Sequence, residues 1–235
     1  MGPTISLALA LAAGTVTEPA ATIGDQHVGL DVDLVALSAS TADPSVPALR
    51  LGSATVRIGV AERAELVVSP PGLSAEVLTG GQALAGAASA RLKVTALASD
   101  DGAWGLAVQP FVVVPFSSGT RPAVGLAAPI STPLPVGLAL HLMPAVRLDA
   151  AGAPEVPVSA ALSWSVLPGI TAYGEAGFAA APLAFQSSRW LATSGVSVSV
   201  HPAVAFDAGL SAHSADVVLE RGVEGTGFVG MALRM

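Results

Sequence analysis

The sequence contains no cysteine, which excludes disulfide frameworks, thiolate metal sites and cysteine nucleophiles. Charged residues are also scarce, at 11% of the 235 residues, whereas an ordinary soluble domain carries about 25%. A chain this poor in charge has too little polar surface to cover a water-exposed fold. A soluble secreted β protein is therefore the least favoured of the three classes considered below.

Long apolar runs are missing as well, although 52% of the residues are hydrophobic. A transmembrane helix needs about 20 consecutive apolar residues, and here glycine, proline, serine or a charge interrupts every run within a few positions. High hydrophobicity without a spanning helix favours the other membrane architecture, a closed β-barrel. The net charge of −7 makes nucleic acid an unfavourable partner.

The N-terminal residues 1–20 are a candidate signal peptide or disordered N-terminus. Residues 5–13 resemble the apolar core of a signal peptide, and Ala10, Leu11 and Ala12 offer a small-residue cleavage pattern. No basic residue precedes this core, so an apolar first strand remains the alternative. Residues 21–235 are predicted to form a single barrel domain.

Strand periodicity is clearest in residues 156–166. Val158, Leu162 and Trp164 fall on one face, and Ser159 and Ser163 on the other, because side chains alternate along a strand. The same alternation predicts an all-β, closed, antiparallel up-and-down transmembrane barrel of about twelve strands. The predicted strands lie near 27–40, 48–60, 63–70, 86–98, 103–116, 122–132, 135–148, 154–166, 168–182, 189–200, 202–212 and 225–235.

The predicted connections alternate between short turns and long loops, as periplasmic turns and outer loops do in such barrels. Short turns are expected at residues 61–62, 100–102, 132–133, 167–169 and 201–202, and long loops at 41–47, 71–85, 117–121, 149–153, 183–188 and 213–224. Four prolines fall inside predicted strands, where they remove a ladder donor. We expect bulges or shifted strand boundaries at Pro110, Pro129, Pro144 and Pro157.

Charged residues of the predicted strands, Arg50 apart, fall on the face opposite the more apolar one. A cation on a lipid face costs about 2–4 kcal/mol at the membrane midplane, so the charged face is expected to point inward. The residues predicted to line the lumen are Asp31, Asp33, Arg57, Glu65, Arg91, Lys93, Gln109, His141, Arg147, Tyr173, Glu175, Asp207 and Arg234. Two roles are equally favoured for this set: these residues form ion pairs that hold the barrel closed, or they set the selectivity for solutes.

Aromatic residues at strand ends are candidates for the belts that flank a barrel's apolar band. Trp104 and Trp164 lie near short turns, and Phe116 and Trp190 near long loops. The alternative for each one is a half-buried strand-end residue without a membrane role.

Catalytic and metal-binding patterns are weak. The four histidines, His27, His141, His201 and His213, lack metal-ligand spacing, and no serine lies in a nucleophile elbow. The glycine-rich residues 80–86 miss the middle glycine of a dinucleotide fingerprint and predict a flexible loop that runs into a strand. No enzymatic activity, cofactor or metal is expected.

Residues 53–68 carry a hairpin whose characteristic residues are Arg57, Gly59, Glu62, Arg63, Glu65 and Leu66. It resembles a hairpin of the transporter family named for the MetA pathway of phenol degradation, and residues 206–235 are similar to that family's closing hairpin. The resemblance implies a channel in the bacterial outer membrane for small, hydrophobic or aromatic compounds.

The sequence thus predicts an outer-membrane channel or passive transporter, with the lipid bilayer and an unidentified small solute as partners. Twelve strands should enclose a narrow lumen, since eight leave room only for side chains and 16–18 leave an open aqueous channel. A structural or adhesive barrel without transport activity is the alternative.

Overall fold

The computed structural model describes residues 20–23, 27–40, 48–51, 53–76, 82–85, 87–99, 104–115, 122–150, 152, 154–180, 189–214 and 223–235. Within them are one 3₁₀ turn, Pro135–Gly137, and the strands β1 (Val28–Ser40), β2 (Ala48–Leu51), β3 (Ser53–Ala61), β4 (Ala64–Ser69), β5 (Gly72–Glu76), β6 (Gln82–Ala85), β7 (Ala87–Ala98), β8 (Gly105–Pro115), β9 (Ala123–Ala127), β10 (Ile130–Leu134), β11 (Leu138–Asp149), β12 (Pro154–Leu167), β13 (Ile170–Ala180), β14 (Arg189–His201), β15 (Val204–Ser214) and β16 (Val223–Arg234). No helix in these residues has the length and apolar character needed to span a membrane.

The strands form one closed antiparallel sheet, because β1 pairs with β16 from Gly29↔Arg234 to Ser40↔Glu224. Four barrel strands are made of two segments each: β2 with β3, β4 with β5, β6 with β7, and β9 with β10. For example, β2 and β3 pair with β1 in one register, as Ala36↔Arg50 and Val28↔Ile58 show. The barrel therefore has twelve strands, which confirms the predicted fold class.

The predicted loop 71–85 is wrong, since β5 and β6 lie within it. β5 pairs with β2 in the register in which β4 pairs with β3, so the strand continues past Pro70 and Pro71. Two prolines before a glycine are typical of a turn. Here they interrupt the ladder without ending the strand.

The predicted turn at residues 132–133 is also misplaced. β10 continues to Leu134, and Pro133 pairs with Ala139 of β11. The chain reverses at Pro135–Gly137, where Val136 has a φ of 57° and Gly137 a φ of 75°. A left-handed backbone is unfavourable for a β-branched residue, so nothing in the sequence marks Val136 as a turn residue. Its place in the apolar alternation assigned it to a strand instead.

Bulges do not occur at the four strand prolines. Register is unchanged across Pro110, where Arg91↔Phe111 and Val94↔Val108 flank it, and strands likewise run through Pro144 and Pro157. Pro129 lies between the end of β9 and the start of β10, in agreement with the strand boundary expected at this proline. Its carbonyl oxygen still accepts a 2.8 Å hydrogen bond from the Ala107 N–H. Register shifts lie elsewhere, for example between Ser165 and Leu167 beside a short turn.

The outer wall is apolar. Val108, Val112, Leu126, Leu162 and Val196 are among the large apolar residues with exposed side chains. The alternate positions are buried, including Gln109 and the polar and charged residues considered below. This division follows from the two-residue period of the strands and the single closed sheet, which gives each side chain either an outside or an inside position.

Inward-facing aromatic rings lie over glycines of neighbouring strands. Tyr173 pairs with Gly195 and Phe228 with Gly209. An added Cβ at Gly195 would lie 2.5 Å from the Tyr173 hydroxyl oxygen and 2.7 Å from the Ala208 carbonyl oxygen. These glycines let two rings fill the interior where larger residues would collide.

Replacing Gly195 with alanine is therefore expected to destabilise the barrel by about 1–3 kcal/mol, the usual cost of overpacking. Gly225→Ala is the control, because an added Cβ there meets no atom within 4 Å. Urea unfolding midpoints measure both variants. Equal midpoints would show that the Tyr173 ring does not rest on Gly195.

Candidate functional site in the barrel interior

Four charged side chains on neighbouring strands form an ionic cluster inside the barrel. Arg57 Nε lies 3.0 Å from Asp31 Oδ2, and Arg57 Nη1 lies 2.9 Å from Glu65 Oε1. Lys93 Nζ lies 2.9 Å from the same Glu65 oxygen, and Glu65 and Lys93 are 0% and 1% exposed. Formal charges in the cluster balance, and Glu65 is its centre because it binds both cations.

Residues 20–23, here called the N-terminal strap, lie against the inner face of β4, β7 and β10 at the end where the short turns are. The Ala20 N–H donates to Ser131 Oγ at 2.8 Å, and the Ala20 carbonyl accepts from Thr95 Oγ1 at 2.9 Å. At the other end of the strap, the Ile23 N–H donates to Glu65 Oε2 at 2.8 Å. The strap thus connects β7 and β10 with the ionic cluster.

A cavity of about 380 Å³ lies largely in the half of the interior nearer the long loops, and its lining also reaches the exposed side chains of Val158, Phe178 and Trp190. Its lining includes the packed cluster of Phe111, Ala127, Met143 and Ala145, together with Leu191. The polar and charged residues that line it are Ser89, Arg91, Gln109, Arg147, Glu155 and Ser159. Arg147 Nε lies 3.1 Å from Glu155 Oε2. The interior is therefore divided into a filled half and a hollow half.

The structure distributes the predicted lining residues over these two halves. Asp31, Arg57, Glu65 and Lys93 form the ionic cluster, while Arg91, Gln109 and Arg147 line the cavity. Of the rest, Tyr173, Glu175 and Asp207 are buried, Arg234 interacts electrostatically with Asp31 and Asp207, and His141 Nδ1 shares a 2.9 Å hydrogen bond with Ser131 Oγ. The side chain of Asp33 lies outside the described residues.

The candidate belt residues lie at the two barrel ends. Trp104 and Trp164 are exposed near the short turns, and Trp190 is exposed at the start of β14, beside a long loop. Phe116 lies outside the described residues. Three half-exposed rings at strand ends suit both a membrane belt and the simpler alternative, so the belt remains a prediction.

Sequence reasoning missed the strap and much of the cavity lining. The strap binds mainly through backbone N–H and C=O groups, which every residue carries, so no side-chain pattern marks it. Phe111 was detectable in principle, because its partner across the sheet is Gly125. An inward aromatic residue opposite a glycine is a cross-strand signal that single-strand periodicity does not use.

Within the described residues, no group of three or more histidine, aspartate or glutamate side chains is arranged to hold a metal ion. The carboxylates of the ionic cluster instead have cationic partners.

Comparison with known proteins finds similarity in structure alone. No family model matches the chain. No curated protein matches it significantly. Among solved structures, the NanC porin is similar with a TM-score of 0.64 and 10% identity, over 87% of this chain and 98% of that one.

Two further structures have the same fold. An outer membrane channel from Pseudomonas putida F1 has a TM-score of 0.61 and 12% identity, over 92% of this chain and 97% of the other. The KdgM porin, solved in complex with disordered oligogalacturonate, has a TM-score of 0.57 and 7% identity, over 87% and 98%. At these identities the likeness establishes the closed barrel fold.

Proposed function

We propose that the chain is a bacterial outer-membrane channel that passes small solutes passively. The observation that carries this proposal is the division of the wall into an exposed apolar outside and a charged, partly hollow inside. An apolar outer wall is stable in lipid and unstable in water. The short turns, the start of β1 at Val28 and the end of β16 at Arg234 then face the periplasm.

Liposome swelling tests this proposal. Protein-containing vesicles should swell in small uncharged and singly charged solutes, and progressively less as the solute grows, because the strap and the ionic cluster narrow the periplasmic half of the interior. Vesicles that hold correctly folded protein and do not swell in any solute would exclude the channel.

The finer family assignment remains part of the proposal. The hairpin around Arg57 and Glu65 resembles the transporters named for the MetA pathway of phenol degradation, which favours hydrophobic or aromatic solutes. The apolar lining by Phe111, Met143 and Leu191 supports such solutes over extended sugars.

A structural barrel without transport is the second candidate. The ionic cluster and the strap favour it, because together they occupy the interior at the periplasmic end. In this alternative the interior charges only hold the barrel closed, and the cavity is a pocket open at one end.

Two arginine substitutions on β12 test the membrane topology. Leu162→Arg places a cation on the exposed outer face, at a cost of about 2–4 kcal/mol near the membrane midplane. Ser159→Arg, three residues away, places it in the cavity lining, where water can solvate it. Folding yield in liposomes should fall for the first variant and stay near wild type for the second; the reverse order would show that the two faces have been exchanged.

A further inference from the structure

One row of residues crosses the wall of the cavity from β8 to β12. Phe111 pairs with Gly125, and Gly125 pairs with Arg147. Arg147 in turn pairs with Glu155. An added Cβ at Gly125 would lie 2.8 Å from Phe111 Cε1, so the ring lies over this glycine, on the side of Arg147. The register of four strands therefore sets an aromatic ring beside an ion pair.

The space next to this row is apolar. Ala127 and Ala145 pair with each other directly below Gly125 and Arg147 in the register, and their short side chains leave the interior open there. Met143 packs against these two alanines. A molecule in this space meets hydrocarbon on several sides.

The ion pair presents both of its charges to the cavity. Arg147 Nε lies 3.1 Å from Glu155 Oε2, and the two side chains are 36% and 19% exposed. A guanidinium has further N–H donors, and a carboxylate has a second oxygen. The described contact uses one nitrogen and one oxygen, so the pair can bind a ligand without being broken.

Charge complementarity selects the kind of ligand. A lone anion at Arg147 is repelled by Glu155, and a lone cation at Glu155 is repelled by Arg147, because the two groups are in contact. A molecule that carries a cation and an anion on neighbouring atoms satisfies both groups. An α-amino acid does so, since one carbon separates its ammonium from its carboxylate.

The size of the cavity limits the ligand. Its volume of about 380 Å³ lies near the lower end of the range for small-molecule sites, about 300–1,000 Å³. Part of the lining lies at exposed side chains, so this volume is an upper limit. Arg91 also lines the cavity, but it has an interaction of its own and is not required for this recognition.

We propose that this cavity binds small zwitterions with an apolar body, of the class of apolar α-amino acids. The ligand carboxylate lies at Arg147, its ammonium at Glu155, and its side chain against Phe111 and Met143. The inference rests on the proposed channel function only in so far as the site would lie on the solute's path. Binding itself requires only the folded barrel.

Calorimetric titration of the folded barrel in lipid nanodiscs, at neutral pH, tests the site with four probes. Norleucine is the expected ligand. Hexanoate lacks its ammonium, pentylamine lacks its carboxylate, and glycine lacks its apolar side chain. Norleucine should bind at least about ten-fold more tightly than each of the other three, as expected when a charge-assisted contact or the apolar packing is lost.

Two substitutions assign each charged contact to its residue. Arg147→Met should remove most of the preference for norleucine over pentylamine and keep the preference over hexanoate. Glu155→Gln should do the reverse. Arg63→Met, which removes an exposed cation from the β3–β4 turn, should change neither preference. Ala145→Leu fills the apolar space and should weaken norleucine more than glycine; if it does not fold, the two charge variants still decide.

The outcomes separate this site from the channel proposal. Equal affinity for norleucine and hexanoate, or an equal loss of both preferences in each charge variant, would overturn the zwitterion site, since a purely structural ion pair gives that result. Absence of binding in a barrel that conducts would overturn it too and leave the channel standing. Binding with the predicted preferences in a barrel that does not conduct would support the site and exclude the channel.

Discussion

Loss of both side-chain anchors of the strap, in the double variant Thr95→Val with Ser131→Ala, should raise single-channel conductance several-fold. These two hydroxyls bind the carbonyl and N–H groups of Ala20, which is fully buried. Without them, two of the described hydrogen bonds still hold the strap. The Ile23 N–H donates to Glu65 Oε2, and Thr22 Oγ1 donates to the Glu62 carbonyl oxygen at an exposed position, at 3.1 Å. Displacement of the strap would widen the periplasmic half of the interior, in which the ionic cluster remains.

The control for this variant is Thr55→Val with Ser69→Ala. These residues also share an interior hydroxyl hydrogen bond, of 2.8 Å, but none of the described hydrogen bonds joins them to the strap. Conductance of the control should equal that of wild type. Equal increases in both double variants would assign the effect to a loosened barrel instead of a released strap.

An engineered disulfide gives the opposite test of the strap. An added Cβ at Gly105 would lie 3.3 Å from the Cβ of Ala20, close to the Cβ separation of about 3.5–4.5 Å in disulfides. Because the chain has no other cysteine, Ala20→Cys with Gly105→Cys can form only this intramolecular bond. Oxidation should suppress the large-conductance state in the Thr95→Val, Ser131→Ala background, and reduction should restore it. A large conductance that persists after oxidation would contradict a blocking strap.

Replacing Glu65 with glutamine should cause the largest loss of stability, about 3–5 kcal/mol, the usual cost of breaking a buried ion pair. Glu65 is fully buried and accepts from Arg57, Lys93 and the Ile23 N–H. The substitution removes the carboxylate that lies 2.9 Å from the buried Lys93 Nζ. Urea unfolding in liposomes measures the loss.

Two comparisons show whether that loss comes from uncompensated charge. Glu65→Gln with Lys93→Met removes one charge of each sign, so the double variant should recover part of the stability lost by Glu65→Gln alone. At the cavity, Arg147→Met breaks a pair whose arginine side chain is 36% exposed, and it should cost about 1 kcal/mol or less. Similar losses for Glu65→Gln and Arg147→Met would show that burial does not govern these pairs.

The twelve-strand architecture was predictable because strand periodicity repeats with every barrel strand. The inward or outward position of a residue such as Leu162 or Ser159 follows from the alternation of side chains along the strand. Because apolar residues face lipid and charged residues face the interior, this alternation can be read from the residue types. The prediction failed where local turn chemistry and the sheet disagree. Pro70 and Pro71 are typical of a turn, yet pairing with β3 and β2 carries the strand through them.

The division of the interior was beyond the sequence for a different reason. Strand alternation places Lys93 and Arg91 on the same face. Lys93 nevertheless joins Glu65 in the ionic cluster, whereas Arg91 lines the cavity. Their separation depends on the stagger of neighbouring strands, which sets Lys93 opposite Glu65. The strap adds backbone contacts that no side-chain pattern records.

Single-channel recording of the purified wild-type protein in planar lipid bilayers tests the central claim most directly. The account predicts discrete, low-conductance steps from a barrel that stays folded, as judged by heat-dependent gel mobility, with larger steps once Thr95 and Ser131 are replaced. A folded barrel that gives no steps in either form would contradict the channel and leave a structural barrel in its place.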